Sequence, residues 1–536
     1  MKARYFISGA LLTLVAASCT DLDVDIKSQY TEFPDNEIAV EANTSVAYLA
    51  FQGALGRRFD EGNSMNSDEY TGVSFGGDYL NNRDCANFSL HTIDPTNCDA
   101  QLGVYSDISS GITSANQVIA EMGGDDVPAT APLRAVRAWY HFLLMDHWGD
   151  VPILDHQIED GEVVSRQPRA DVAAWIESEL LACRDNCSTS VDASTYGKPT
   201  RYMCDALLAK LYLNWPVYVN DITSASWSYG SNPKLDACIA ACDDVIASGK
   251  YNLKDGYKEK FMYNNGPLIG DFIYAMPFDG PSKDGMTYAR FRTWRQANKA
   301  DRMYDPYMTQ SCGGNFALTP EFVDLFCLEG DDRNSVIVGG DVYVYSGTTA
   351  TPTDTRANYD GTELVFTKTI TLVEPGDGDL NCGKNLNGWC QGYKSIKFAP
   401  YVPEYNSYSR NQSNDVPMFR YADVLLMKAE AIVRGGTATN GDNAQSLFNQ
   451  IRSYVHAPQL ATTPTLQDIE DERGREFLDE HWRRNDLIRM GHFERKWGFK
   501  EEYGSSDPRM RLWPLGKGIL SVNANWKQND GYVDPR

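Results

Sequence analysis

Histidine is scarce in this 536-residue chain, with 7 in all, and neither C-x-x-C nor H-E-x-x-H occurs. The common zinc-ligand spacings are thereby excluded, and neither a metal nor a cofactor is expected. Positive charge is also in deficit: 49 Lys and Arg face 73 Asp and Glu, a formal charge of −24. Nucleic acid and anionic membrane faces repel such a polyanion, whose field suits neutral ligands or a partner with basic loops. Long apolar runs are missing too. The apolar stretch from Tyr5 to Ala17 falls short of the roughly 20 residues that span a bilayer, and no other segment comes closer.

What that stretch does resemble is the core of a signal peptide, with Lys2 and Arg4 before it. Ala16-Ala17-Ser18 precede Cys19 as in a bacterial lipobox. This predicts a lipoprotein signal over 1–18, acylation of Cys19, and an acidic tether and extended segment over 19–40. Without Lys2 and Arg4, two of the 49 basic residues, the formal charge becomes −26 rather than −24.

Eleven of the 12 cysteines remain beyond Cys19, an odd number, so at least one stays outside any intrachain bridge. Cys183/Cys187 and Cys238/Cys242 sit four apart in stretches expected to be helical, spacing that suits packing on one face better than a bridge. Cys382/Cys390, around a Gly/Asn-rich loop, are the best candidates for a disulfide, and Cys85/Cys98 come next.

Apolar residues recur at helical spacing over Glu41–Leu55, Tyr105–Met122, Pro132–Trp148, Asp171–Cys183, Arg201–Asn214 and Leu235–Ser248. They do so again over Val416–Arg434, Asn443–Tyr454 and Leu466–Met490. Between Asn264 and Gly314 the pattern dissolves into Gly, Pro, Tyr and Arg, and from Ser335 to Lys397 short runs such as Val342–Tyr345 and Leu364–Phe366 predict hairpins. Helices of about 15 residues in pairs suggest tetratricopeptide-like stacking, although no 34-residue self-similarity is evident.

Five stretches carry recognisable patterns: Pro132–Pro152, with its Arg-Ala, aromatic helix and Gly-Asp-Val-Pro turn; Lys198–Asn214; Asp415–Ala431; Glu472–Gly491; and the closing Pro514–Asn523 and Gln528–Tyr532. They resemble signatures of the SusD/RagB family, with His481 where Gly is more usual. The resemblance implies a mainly α fold, about four tetratricopeptide-like helix pairs with long loops and a few short β-hairpins. It divides the chain into a helical region over 41–262, a loop- and hairpin-rich ligand-binding insert over 263–414, and a helical region and tail over 415–536. It also implies a cell-surface, outer-membrane lipoprotein, anchored through Cys19, that captures oligosaccharides for a SusC-like TonB-dependent transporter. The acidic residues after Cys19 resemble that group's surface-export signal.

Sugars stack their C–H faces on aromatic rings and need paired donors and acceptors for their hydroxyls. Two segments offer that mixture. One holds Asp68, Tyr70, Tyr79, Asn82 and Arg83; Tyr79 and Asn82 fall where starch-binding members keep a stacking Trp and a polar partner. The other holds Tyr288, Arg290, Arg292 and Trp294, followed by Tyr304 and Tyr307. An oligopeptide ligand, as in RagB-like members, is the alternative, and a surface glycosidase a more distant one. A glycosidase needs two carboxylates about 5–10 Å apart across a cleft. Glu472 and Glu476 are near neighbours on a helix, but interleaved Arg predicts a packing network with both ionised. His147 reads as a packing residue. Asp377, Asp379 and Asn381 begin a calcium-loop spacing that Cys382 breaks where Gly is needed, so a solvated turn is expected.

Overall fold

The computed structural model describes residues 44–78, 83–282, 285–287, 303–309, 316–374 and 378–536. Helix α1 (Val104–Glu121) turns at Gly123 and Gly124, both at positive φ, into α2 (Ala131–Trp148). The two pack closely because position 111 is glycine; a Cβ there would lie 2.5 Å from the Tyr140 ring. Helix α2 is buried on nearly every side and packs next on α3 (Arg169–Cys183). Helix α4 (Arg201–Leu213), opened by the Thr200 hydroxyl accepting from the Met203 amide, packs on α5 (Leu235–Ala247). In the C-terminal part α6 (Tyr421–Val433) lies on α5 and on α7 (Ala444–Tyr454), and contacts α8 (Leu466–Phe477), which is followed by α9 (Arg483–Met490). Capping boxes at Asn443/Ser446 and Thr465/Asp468 start α7 and α8. No described helix is long and apolar enough to cross a membrane.

Two expected helices are interrupted. Val416–Arg420 is a fully buried strand, β7, that pairs antiparallel with β2 (Phe272–Met276) before α6 begins. Pro417 cannot donate to a helical ladder, and the strand pairing serves its neighbours instead. The long helix expected over Leu466–Met490 breaks between α8 and α9, where Asp479 and His481 take φ of +64° and +69°. Glycine tolerates that conformation at least cost, so His481 carries some backbone strain there. Short strands occupy the hairpin region as expected. β3 (Tyr304–Asp305) runs parallel to β5 (Tyr343–Ser346), whose other neighbour is β6 (Pro352–Arg356). β1 (Tyr70–Gly72) pairs with β4 (Phe316–Leu318).

The interior of the C-terminal part is charged. Asp423 takes Lys210 at 2.8 Å and Arg473 at 2.7 Å; Arg473 reaches Asp486, which pairs with Arg489, which pairs with Glu430. A second chain joins Lys260, Asp271, Arg420, Glu480 and Lys397, and through Glu476 reaches Arg333 and Glu472. All of these side chains are essentially inaccessible.

The bridges expected at Cys85/Cys98 and Cys382/Cys390 do not form, since Cys98 and Cys382 are both thiols. Both are buried, and burial pushes each thiol up to about 12. They behave as small core residues.

Candidate functional site

The sequence-predicted residues divide between core, surface and positions outside the described residues. Tyr70 is fully buried in β1, its hydroxyl donating to Asp479 at 2.7 Å. Tyr304 is 2 % exposed within β3. Neither ring offers a face to a ligand, a correction that follows from strand pairing on one side and core on the other. Asp68 holds Arg483 through both carboxylate oxygens at 2.7 Å, so its acceptors are already engaged. Tyr79, Asn82, Tyr288, Arg290, Arg292 and Trp294 lie outside the described residues, as does Cys19.

Arg83 and Tyr307 are at the surface. Arg83 reaches Asp379 at 2.9 Å and the Gly378 carbonyl at 2.6 Å, which ties the end of the first segment to the loop before Asn381. Asn381 accepts from the Gly76 and Gly383 amides. Asp379 and Asn381 thus serve loop structure, while Asp377 lies outside the described residues. The described ends of the second segment are also anchored. Met286 bridges to Gln412, Thr287 donates to the Gly56 carbonyl, and Phe316 pairs with Gly72 beside the first segment.

Tyr307 is 42 % exposed. Asn406 holds its neighbourhood by donating to the Tyr307 carbonyl and accepting from the Thr309 amide at 2.7 Å. Asn406 belongs to a segment, Tyr401–Asn411, that sequence reasoning passed over despite its Tyr, Asn and Arg content. Tyr401 stacks on Tyr263 with ring centroids 3.7 Å apart and planes 9° from parallel. Tyr408 is exposed, and the tip beyond it turns through Ser409 and Arg410, both at positive φ. Tyr263 edges an open cleft of about 570 Å³ that also holds Asp255, Lys258, Glu259, Asn264 and Thr349. The 347–351 turn at this cleft is continuous with the Tyr307 segment, because the Gly347 amide donates to the Asp305 carbonyl and Val402 donates to Gly347. Rings, carboxylates, amides and hydroxyls therefore border one surface.

The carboxylates weighed as catalytic are elsewhere. Glu472 is completely buried among Arg333, Arg452 and Arg475. Burial pushes its carboxyl up, but the three guanidiniums outweigh it and hold the group down at about 2. A carboxylate so held cannot deliver a proton near neutral pH. Glu476 is likewise enclosed by Arg420 and Arg333. His147 packs against Trp513 with Nδ1 on the Leu143 carbonyl, and burial with nearby Arg484 brings its imidazole down to about 3. Away from this face, Cys183, Cys187 and Cys204 converge, which their spacing in the chain did not reveal.

The architecture is a helical-hairpin scaffold whose charged interior is sealed and whose loops build an aromatic, polar face around a cleft. A model of the SusD family matches residues 270–532. The starch-binding protein SusD of Bacteroides thetaiotaomicron is 24 % identical over 459 residues, 81 % of this chain and 76 % of that one. A laminarin-binding SusD-like protein superposes with a TM-score of 0.69 at 22 % identity, over 93 % of this chain and 100 % of its own. Surface glycan-binding protein A from Bacteroides thetaiotaomicron, in complex with laminarihexaose, does so at 0.66 and 18 % identity, over 92 % and 99 %. The C-terminal half of the chain thus matches the SusD family, and the whole chain shares the fold of SusD-like proteins.

Proposed function

We propose that this protein captures oligosaccharides at the cell surface and delivers them to a SusC-like TonB-dependent outer-membrane transporter, without cleaving them. The observation that carries the reading is the cleft edged by the Tyr263–Tyr401 pair, joined through the 347–351 turn to exposed Tyr307. Ring faces there suit sugar C–H surfaces, while Asp255, Asn264 and Thr349 suit hydroxyls. The net charge of −24 favours a neutral glycan over an acidic one. Names of relatives that bind starch and laminarin support the ligand class. Arg83, Tyr79, Asn82, Tyr288, Arg290, Arg292 and Trp294 are proposed as further contacts.

Calorimetry against a panel of neutral oligosaccharides tests the reading: at least one should bind, and Tyr307→Ala should weaken it. Absence of binding across α- and β-linked glucans and other neutral glycans, with peptides binding instead, would overturn it. No reducing ends should be released from any bound glycan; release abolished by Glu472→Gln would show an enzyme. Acylation of Cys19 is the proposed anchor, supported by Ala16-Ala17-Ser18 before it. Intact mass of membrane-extracted protein should lack residues 1–18 and carry lipid. Mild-detergent extraction should recover the chain with a much larger transporter, and recovery only as a lone monomer across several detergents would count against the partner.

A further inference from the structure

The connection between α3 and α4 brings three sulfurs together. Cys183 is the last residue of α3, Cys187 follows the single turn Arg184–Asn186, and Cys204 lies in the first turn of α4. The three Sγ atoms all lie within 4.8 Å of one another, and Cys187 Sγ and Cys204 Sγ are 3.9 Å apart. A disulfide needs about 2.05 Å, so that pair would have to close by nearly half. Thiolates about 2.3 Å from one shared tetrahedral ion stand roughly 3.8 Å from each other, close to the observed separation. As thiols, Cys183 donates to the Leu180 carbonyl at 3.7 Å, longer than the 3.3 Å at which Cys238 donates to the Ala209 carbonyl of α4.

We propose that Cys183, Cys187 and Cys204 form a three-thiolate site for a soft, closed-shell cation, Zn²⁺ or Cu⁺, that fastens α3 to α4. Three sulfurs with neither imidazole nor carboxylate in the set select thiophilic ions over Ca²⁺ or Mg²⁺. Cu⁺ is satisfied by three thiolates; Zn²⁺ takes a water as its fourth ligand. The site is buried, yet Cys187 is 4 % exposed and Ser188, Thr189 and Ser190 beside it are at the surface, a short path for an ion. Binding would hold the 184–200 connection, where only the Arg184–Asn186 turn is helical.

The test uses the exported chain, reduced and stripped with chelator, then titrated separately with Zn²⁺, with Co²⁺ as its spectroscopic stand-in, and with Cu⁺. One equivalent of Zn²⁺ or Cu⁺ should bind per chain, with a thiolate-to-Co²⁺ charge-transfer band, and should protect all three cysteines from alkylation. Cys204→Ser should weaken binding at least tenfold and abolish the band, and the ion should raise the melting temperature of the unmodified chain only. If Cys204→Ser fails to fold, alkylation protection in the unmodified chain decides. Sub-stoichiometric binding of both Zn²⁺ and Cu⁺, protection of other cysteines, undiminished binding by a folded Cys204→Ser, or a disulfide between two of the three in protein taken directly from cells would overturn the proposal.

Discussion

The two ends of the β2–β7 ribbon lead into opposite kinds of structure. Beyond Arg420 the chain enters α6 to α9, where an apolar cluster packs α6, α7 and α8 together and guanidiniums and carboxylates of α6, α8 and α9 are sealed from water beside it. Beyond Met276 it enters loops and two- to five-residue strands that leave Tyr307, Tyr343 and Tyr408 at the surface. Identical chemical groups do different work in the two regions. Arg420, with Asp271, Glu476 and Glu480 around it, has no donor left to offer a ligand. Arg83, 44 % exposed in its side chain, is held by one carboxylate and one carbonyl. Burial turns charge into architecture, and exposure leaves it available for recognition.

The sharpest way to break that contrast is Arg420→Ala. It leaves three carboxylates buried around a missing cation, and the expected loss is about 3–5 kcal/mol, read by denaturant unfolding. Glycan affinity per folded molecule should not change; a loss under about 1 kcal/mol would mean the network is ornamental.

Acid should dismantle the same region. Glu472 and Glu430 both titrate at about 2 when folded, against an ordinary 4.5; burial raises each, and Arg333 beside Glu472 and Arg489 beside Glu430 more than reverse it. Depressed folded values mean that their stabilisation is complete above about 4.5 and is lost as pH falls toward 2. A few kcal/mol should vanish across that window, measured by denaturant unfolding at stepped pH.

On the loop side, Trp294→Ala and Tyr307→Ala should each weaken glycan binding at least about tenfold, roughly 1.4 kcal/mol, with melting temperatures within a few degrees of the parent. If Trp294 instead packs on the helices, its alanine variant should lose ~3–5 kcal/mol of stability and bind normally when folded.

The smallest effect is expected at Asp415, just before β7. Burial raises its carboxyl to about 7, against the Phe278 amide and Tyr196 hydroxyl that favour the charged form. A raised folded value costs stability as pH climbs from about 4 through 7. Asp415→Asn should therefore flatten that slope and gain on the order of 1 kcal/mol at pH 8.

Much of the scaffold was legible in residue order, and particular positions show where legibility stopped. The Pro132–Trp148 helix was readable because apolar spacing, Pro132 near its start and Gly149 at its end agree. A helix was expected through Val416–Arg420 despite Pro417, because the strand partner at Phe272–Met276 lies in a distant part of the chain. His481 stood out as a departure from the family pattern; that its backbone is left-handed emerged only with the fold. At the site, Tyr70 and Tyr307 looked alike in sequence. One lies against Asp479, 409 residues away, and the other at the surface.

Local order by itself marked most of the helices, the polyanionic balance and the motifs that resemble the family's, because propensity and periodicity act over a few residues. Which tyrosines stay at the surface, which arginines are consumed by carboxylates, that no bridge forms at Cys98 or Cys382, and that three cysteines meet were decided only by tertiary structure. Each depends on what a side chain encounters from a distant part of the chain, and burial, not residue type, sets whether a ring, a charge or a thiol remains available.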